Sequence, residues 1–118
     1  MGGDTPPPDA WSDELARELL GKLVIAGFTF LKPDGSLDEQ RQFFGHVELA
    51  DRSVGIVLAL EGKASGKRYT LPPDTRGFRV APPGHYRLRS TGEVVVDPDY
   101  MVSYTGTKGH DAWNSEVH

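Results

Sequence analysis

The stretch Leu23–Leu31, "LVIAGFTFL", decides the class of fold open to this chain of 118 residues. It is dense in apolar and aromatic residues and stops at Lys32–Gly35, "KPDG", where Pro33 and Gly35 supply turn chemistry. A β-strand is expected over 23–31, and from this point the hydrophobic period is two. Just upstream the period is different. In Ser12–Lys22, "SDELARELLGK", Ser12 suits an N-cap, Asp13 and Glu14 suit the first turn, Leu15 and Leu19 share a face, and Gly21 can end the helix. One short helix therefore leads into the first strand, with its leucines and Trp11 expected to cover the core.

Downstream, Phe43–Ala50, "FFGHVELA", places Phe43, Val47 and Leu49 on one face and Phe44, His46 and Glu48 on the other, with Gly45 expected at a bend or bulge. After "DRS" comes Val54–Gly62, "VGIVLALEG", in which Ile56, Leu58 and Leu60 face one way, and "KASGK" then turns into Arg68–Leu71, "RYTL". "PPDTRG" reads as a loop, "FRVAPPG" as a short extended piece carrying Phe78 and Val80, and a hairpin comes last. Successive hairpins without a helical crossover predict a mainly β fold: a small antiparallel β-barrel, or a strongly curved sheet, with one N-terminal helix.

The composition agrees with one such domain. Fourteen glycines and nine prolines imply many turns and short strands, and 37% hydrophobic residues are enough for a modest core. Residues 1–10, rich in glycine and proline, read as a tail, 11–105 as the domain, and 106–118 as an irregular C-terminal tail. The absence of cysteine excludes disulfides, thiolate metal sites and cysteine nucleophiles. A formal charge of −4 disfavours nucleic acid and anionic membranes as partners. No secretory or transit segment, lipidation signal or apolar run of membrane-spanning length is read, so the default location is the cytoplasm.

Two resemblances follow from particular residues. Helix, strand and then Phe43–Leu60, "FFGHVELADRSVGIVLAL", resemble the first half of the Sm-like fold, one of the SH3-like small barrels, over about a third of the chain. No Asn follows Asp51 in the spacing at which that family reads RNA bases, and Arg76-Gly77, which is similar to the family's later Arg-Gly pair, sits in a Pro-rich loop. The resemblance implies the architecture and hardly the RNA-binding role. The combination "LPPDTRGF" and "PPGHYRLRSTGEVVVDPDY" is similar to a family of small uncharacterised bacterial proteins over most of the ordered chain, and it implies no activity.

Few motifs have residue types suited to chemistry. Gly62–Arg68, "GKASGKR", lacks the P-loop spacing, the Ser/Thr after the lysine and the following helix, and reads as a hairpin loop. Pro33–Glu39, "PDGSLDE", lacks the acidic ladder of a calcium loop and reads as a turn. His46, His85, His110 and His118 share no metal-binding spacing. His46, beside Glu48 on the polar parity of its strand, reads as a solvated residue.

The richest segment is the hairpin Gly84–Tyr104. A three-residue loop, Ser90-Thr91-Gly92, with Gly92 left-handed, would pair Arg89 with Glu93, Leu88 with Val94, Arg87 with Val95, Tyr86 with Val96 and His85 with Asp97. Tyr86, Leu88, Val94 and Val96 would then point to the core, and His85, Arg87, Arg89, Glu93 and Asp97 would form an outer ladder of charges. Beyond Pro98, Tyr100, Val102 and Tyr104 would resume the inward parity. A solvated face is the preferred reading of the ladder. The sharper one makes His85 and Asp97 a catalytic pair, or Asp97 and Asp99 a cation site.

Three functions are therefore expected, in order. First is a non-enzymatic binding module for a partner that could be a protein, engaging Phe44, Arg87, Arg89 and Trp113, with no cofactor. Second is an Sm-like nucleic-acid binder using Arg76, Arg79, Arg87 and Arg89 as a basic stripe. Third is a small hydrolase or metal-dependent enzyme built on His85 and Asp97.

Overall fold

The computed structural model describes residues 10–107; His110, Trp113 and His118 lie outside them. Helix α1 spans Asp13–Leu19. Ser12 caps it, its Oγ accepting from the Leu15 N–H at 3.1 Å, and the chain leaves it through Gly21 at φ +79. Ala16 and Leu19 are buried beneath it, together with Trp11, whose indole N–H donates to Asp13 at 3.0 Å. A capped helix this short gains most of its stability from that packing.

Strand β1, Leu23–Leu31, runs over the expected residues and is followed by β2, Leu37–Asp51, β3, Gly55–Leu60, and β4, Arg68–Leu71. The short β5, Arg79–Val80, precedes β6, His85–Arg87, and β7, Val94–Val96, and the chain reaches β8, Tyr100–Thr107. Six strands form one sheet in the order β4-β3-β2-β1-β8-β5, while β6 and β7 pair only with each other. The mainly β class with one short helix holds, but the antiparallel barrel does not. The sheet is mixed, because β8 lies parallel to β1, from Val24 opposite Tyr100 to Leu31 opposite Thr107. It is also open, with β4 and β5 at its two edges.

Prolines follow both edge strands. Pro72 and Pro73 end β4, and Pro82 and Pro83 follow β5; none of them has an N–H to offer a closing ladder. The intervening loop binds the start of the helix instead. Buried Thr75 donates to the Ala10 carbonyl from both its N–H and its hydroxyl, at 2.9 and 3.1 Å, and its Oγ1 accepts from the Ser12 N–H at 2.9 Å.

The sheet nonetheless curls over its aromatic face. Phe28 and Tyr69 stand on strands about 14 Å apart across a flat sheet, yet their rings are 5.0 Å apart. Phe43 meets Tyr69 edge-on at 4.7 Å, and Tyr104 stacks on Phe28 at 5.4 Å. Val24, Ala26, Phe30, Ile56, Leu58, Leu60, Leu71 and Val102 complete this inner core. The inward parity expected for Ile56, Leu58 and Leu60 and for Tyr100, Val102 and Tyr104 is thus observed.

Two expected parities change. A bulge between Val47 and Leu49 turns Leu49 outward, and Ala50 packs against the core in its place. Gly45 is needed close by for another reason: a Cβ there would lie 2.2 Å from the Ala59 carbonyl oxygen. The hairpin register is also one residue away from the expected one, with His85 opposite Val96, Tyr86 opposite Val95 and Arg87 opposite Val94. Its loop has four residues, Arg89–Gly92, closed by the Leu88 N–H to the Glu93 carbonyl at 2.8 Å and the Gly92 N–H to the Leu88 carbonyl at 2.7 Å. Gly92 is left-handed as expected, at φ +79. Val95 is therefore the buried valine, and Val94 and Val96 are exposed.

Candidate functional site

Strand β1 divides the sheet into two unlike faces. Its even residues from Val24 to Phe30 enter the inner core, while Leu23, Ile25, Gly27 and Thr29 point outward by alternation. At the Leu23–Ile25 end the outer face is apolar, and the β6–β7 hairpin covers it. Ile25, Leu88 and Val95 form a second buried cluster, with Leu23, Phe44 and Tyr86 packed against it. At Gly27 and Thr29 the outer face loses its apolar side chains and the cover stops.

A half-open cleft of about 430 Å³ lies there, lined by Gly27, Thr29, Gln40, Gln42 and Ser103 from three strands and by Arg89 and Ser90 from the hairpin loop. Phe28 and Arg41 also border it, but their side chains belong to the opposite face. Phe28 is buried in the inner core, and Arg41 lies over the Phe30 ring and pairs with Glu39. The volume falls at the low end of small-molecule sites, about 300–1,000 Å³.

The cleft's wall is held in place from two sides. The pairing of β2 with β3 starts only at Gly45, so Gln42 lies beyond the β3 ladder, and the hairpin loop engages it instead. The Gln42 N–H donates to Ser90 Oγ at 3.1 Å, and Gln42 Oε1 accepts from the Ser90 N–H at 3.2 Å. On the other side, a 3-10 turn at Gly62–Ala64 grips the loop. Glu93 accepts from the Lys63 N–H at 2.7 Å, and Lys63 Nζ donates to the Thr91 carbonyl at 3.0 Å. Glycine is favoured at position 62 by its left-handed φ of +66, and a Cβ there would also have to displace the Glu93 carboxylate, 2.0 Å away. The "GKASGKR" segment is therefore a turn with a structural task.

Gly27 has no such requirement. It sits in the middle of β1 without a left-handed φ, and the nearest atom a Cβ would meet is Ser103 Oγ, at 3.8 Å. Glycine inside a strand costs about 0.5–1 kcal/mol relative to alanine, and such a position often marks a close approach by something else. Its place is the floor of the cleft, between Gln42 on β2 and Ser103 on β8.

The residues singled out in the sequence end in different places. Arg89 lines the cleft. Arg87 is exposed on the hairpin's outward side with His85, Val94 and Val96, and Phe44 is half-buried beneath the hairpin. Arg76 is paired with Asp74 at 2.7 Å, and Arg79 is exposed on the edge strand β5. No hydrogen bond joins His85 and Asp97. Asp97, at φ +50, closes the hairpin base, its Oδ1 accepting from the Gly84 N–H at 2.8 Å and its own N–H donating to the Gly84 carbonyl at 2.7 Å. Asp99 ties the sheet together, accepting from the Leu23 N–H at 2.9 Å. Among the described residues, no three His, Asp or Glu side chains gather as a metal site. His46 stands 3.0 Å from Glu61, exposed on the sheet.

Two perturbed groups mark the loop that crosses the open seam. The bond from Arg76 holds the Asp74 carboxyl below the usual range, and burial raises the Tyr104 phenol well above its ordinary value, with the Asp74 charge adding to the effect. Tyr104 donates to the Asp74 carbonyl at 3.2 Å. Neither residue borders the cleft. No helix among the described residues is long and apolar enough to cross a membrane. A scan against protein-family models and searches of curated proteins and of solved structures gave no match to this chain.

Proposed function

We propose that the protein is a non-enzymatic binding module whose ligand site is the cleft between the hairpin loop and the outer face of the sheet. The observation that carries this reading is Gly27, a mid-strand glycine with room for a side chain, at the floor of a polar cleft whose wall is pinned from both sides. A pre-formed concave site with a few convergent polar groups is what small-molecule recognition uses. The lining offers hydroxyls and amides that bind without offering chemistry. Ser90 accepts a backbone N–H, and among the described residues no histidine or carboxylate borders the cleft to act as a base.

The reading is tested by following amide shifts while a panel of sugars, amino acids and small carboxylic acids is titrated in. Shifts should concentrate at Gly27, Thr29, Gln42, Ser90 and Ser103. Gly27→Val should abolish them while leaving thermal stability unchanged or raised by up to about 1 kcal/mol. Shifts that survive in Gly27→Val, or that fall on Arg87, Val94 and Val96 instead, would move the site elsewhere.

A further inference from the structure

We infer that the cleft takes a small polar carboxylate, with Arg89 as the anchor for its anionic end. The inference rests on the cleft being the ligand site and adds the class of ligand. Arg89 is the cationic side chain of the lining, since Arg41 turns to the other face and is held by Glu39 and the Phe30 ring.

The charge of Arg89 also has no counterpart among the described residues. Arg41, Arg52, Arg68 and Arg76 each pair with a carboxylate, to Glu39, Asp13, Glu48 and Asp74, whereas Arg17, Arg79 and Arg87 share with Arg89 the lack of an ion pair among the described residues but lie away from the cleft. Among the described residues no carboxylate pairs with Arg89, and none borders the cleft. The loop that presents it is fixed at Ser90, Thr91 and Glu93, so the residue's backbone is placed before any ligand arrives. Pre-organisation of this kind reduces the entropy lost on binding.

A planar guanidinium matches a carboxylate with two parallel hydrogen bonds. The rest of the lining, Thr29, Gln40, Gln42, Ser90 and Ser103, can donate or accept, which suits hydroxyl or amide groups on the body of the ligand. A phosphate ester, at about −1.5 to −2, would bring more charge than one guanidinium balances, into a protein whose formal charge is already −4. A monoanionic carboxylate is the better match.

The test uses three probes on the full chain: gluconate, its uncharged counterpart sorbitol, and glycerol 3-phosphate. Gluconate should shift Gly27, Ser90 and Ser103 together with the Arg89 side-chain N–H, and should weaken with added salt. Arg89→Gln, at an exposed side chain without a bonded partner among the described residues, should fold normally and bind gluconate roughly ten- to a hundredfold more weakly. Equal binding of gluconate and sorbitol at the cleft, or unchanged affinity in Arg89→Gln, would overturn the carboxylate assignment and leave the cleft as the site. Tighter binding of glycerol 3-phosphate would overturn it in favour of a phosphate. If none of the three probes shifts the cleft resonances at the limit of solubility, both the ligand class and the cleft reading fall.

Discussion

The two faces of the six-stranded sheet are built from the same strands and end up with opposite characters. On the inner face, Val24, Ala26, Phe28 and Phe30 run without interruption into a core closed by Tyr69, Tyr104 and the helix. On the outer face, β1 presents Leu23 and Ile25 and then Gly27 and Thr29, so apolar surface gives way to polar surface halfway along. The hairpin covers only the apolar half. An all-apolar face becomes a core, whereas a face that changes character partway leaves an edge where the cover stops, and the cleft lies at that edge.

The largest break in this comparison should come from the inner face. Phe28→Ala removes the ring that meets Tyr69, Tyr104 and Phe43 at once, and should cost about 3–5 kcal/mol, read as a fall in the urea midpoint. The outer cluster is smaller and should respond locally. Leu88→Ala should cost about 2–3 kcal/mol and should release the hairpin amides to hydrogen exchange before those of β1. If the β1 amides lose protection together with the hairpin, the two faces are one cooperative unit and the contrast fails.

A subtler effect concerns pH at the open seam. Asp74 has its folded value lowered by Arg76, so its contribution is present above the ordinary 3.8 and is lost as pH falls through the lower folded value. Tyr104 has its folded value raised, so its contribution is present below the ordinary 10.0 and is lost as pH rises beyond it. Arg76→Ala should move the Asp74 carboxyl titration upward, and Tyr104→Phe should flatten the alkaline fall in thermal midpoint. An unchanged Asp74 titration in Arg76→Ala would remove the assigned cause.

How much of this was legible depends on how local the deciding interaction is. The Ser12 cap, the limits of β1 and β4 and the left-handed Gly92 were all readable, because each follows from neighbouring residues. The first half of β2, "LDEQRQ", was not. Its residues carry little strand preference, and it is extended because β1 supplies a ladder from Leu31 to Gly27. The hairpin register was misread because three consecutive valines have no alternation to specify which one is inward. Glu93 gripping Lys63, and Leu88 and Val95 packing on Ile25, select Val95. Of the proposed cleft, Arg89 stands out in the sequence from its place in the hairpin, while Gly27, Gln42 and Ser103 do not. They lie on strands far apart in sequence and gave no local motif.

The sequence by itself determined a mainly β chain with one capped helix, the inward parity of most strands, and the absence of any cysteine chemistry, since hydrophobic period, caps and composition are properties of short windows. Tertiary structure alone decided that β8 lies parallel beside β1, that the sheet stays open between β4 and β5, and that the hairpin stops short of Gly27. Those outcomes depend on which distant surfaces bury one another most completely, and no short window of residues carries that information.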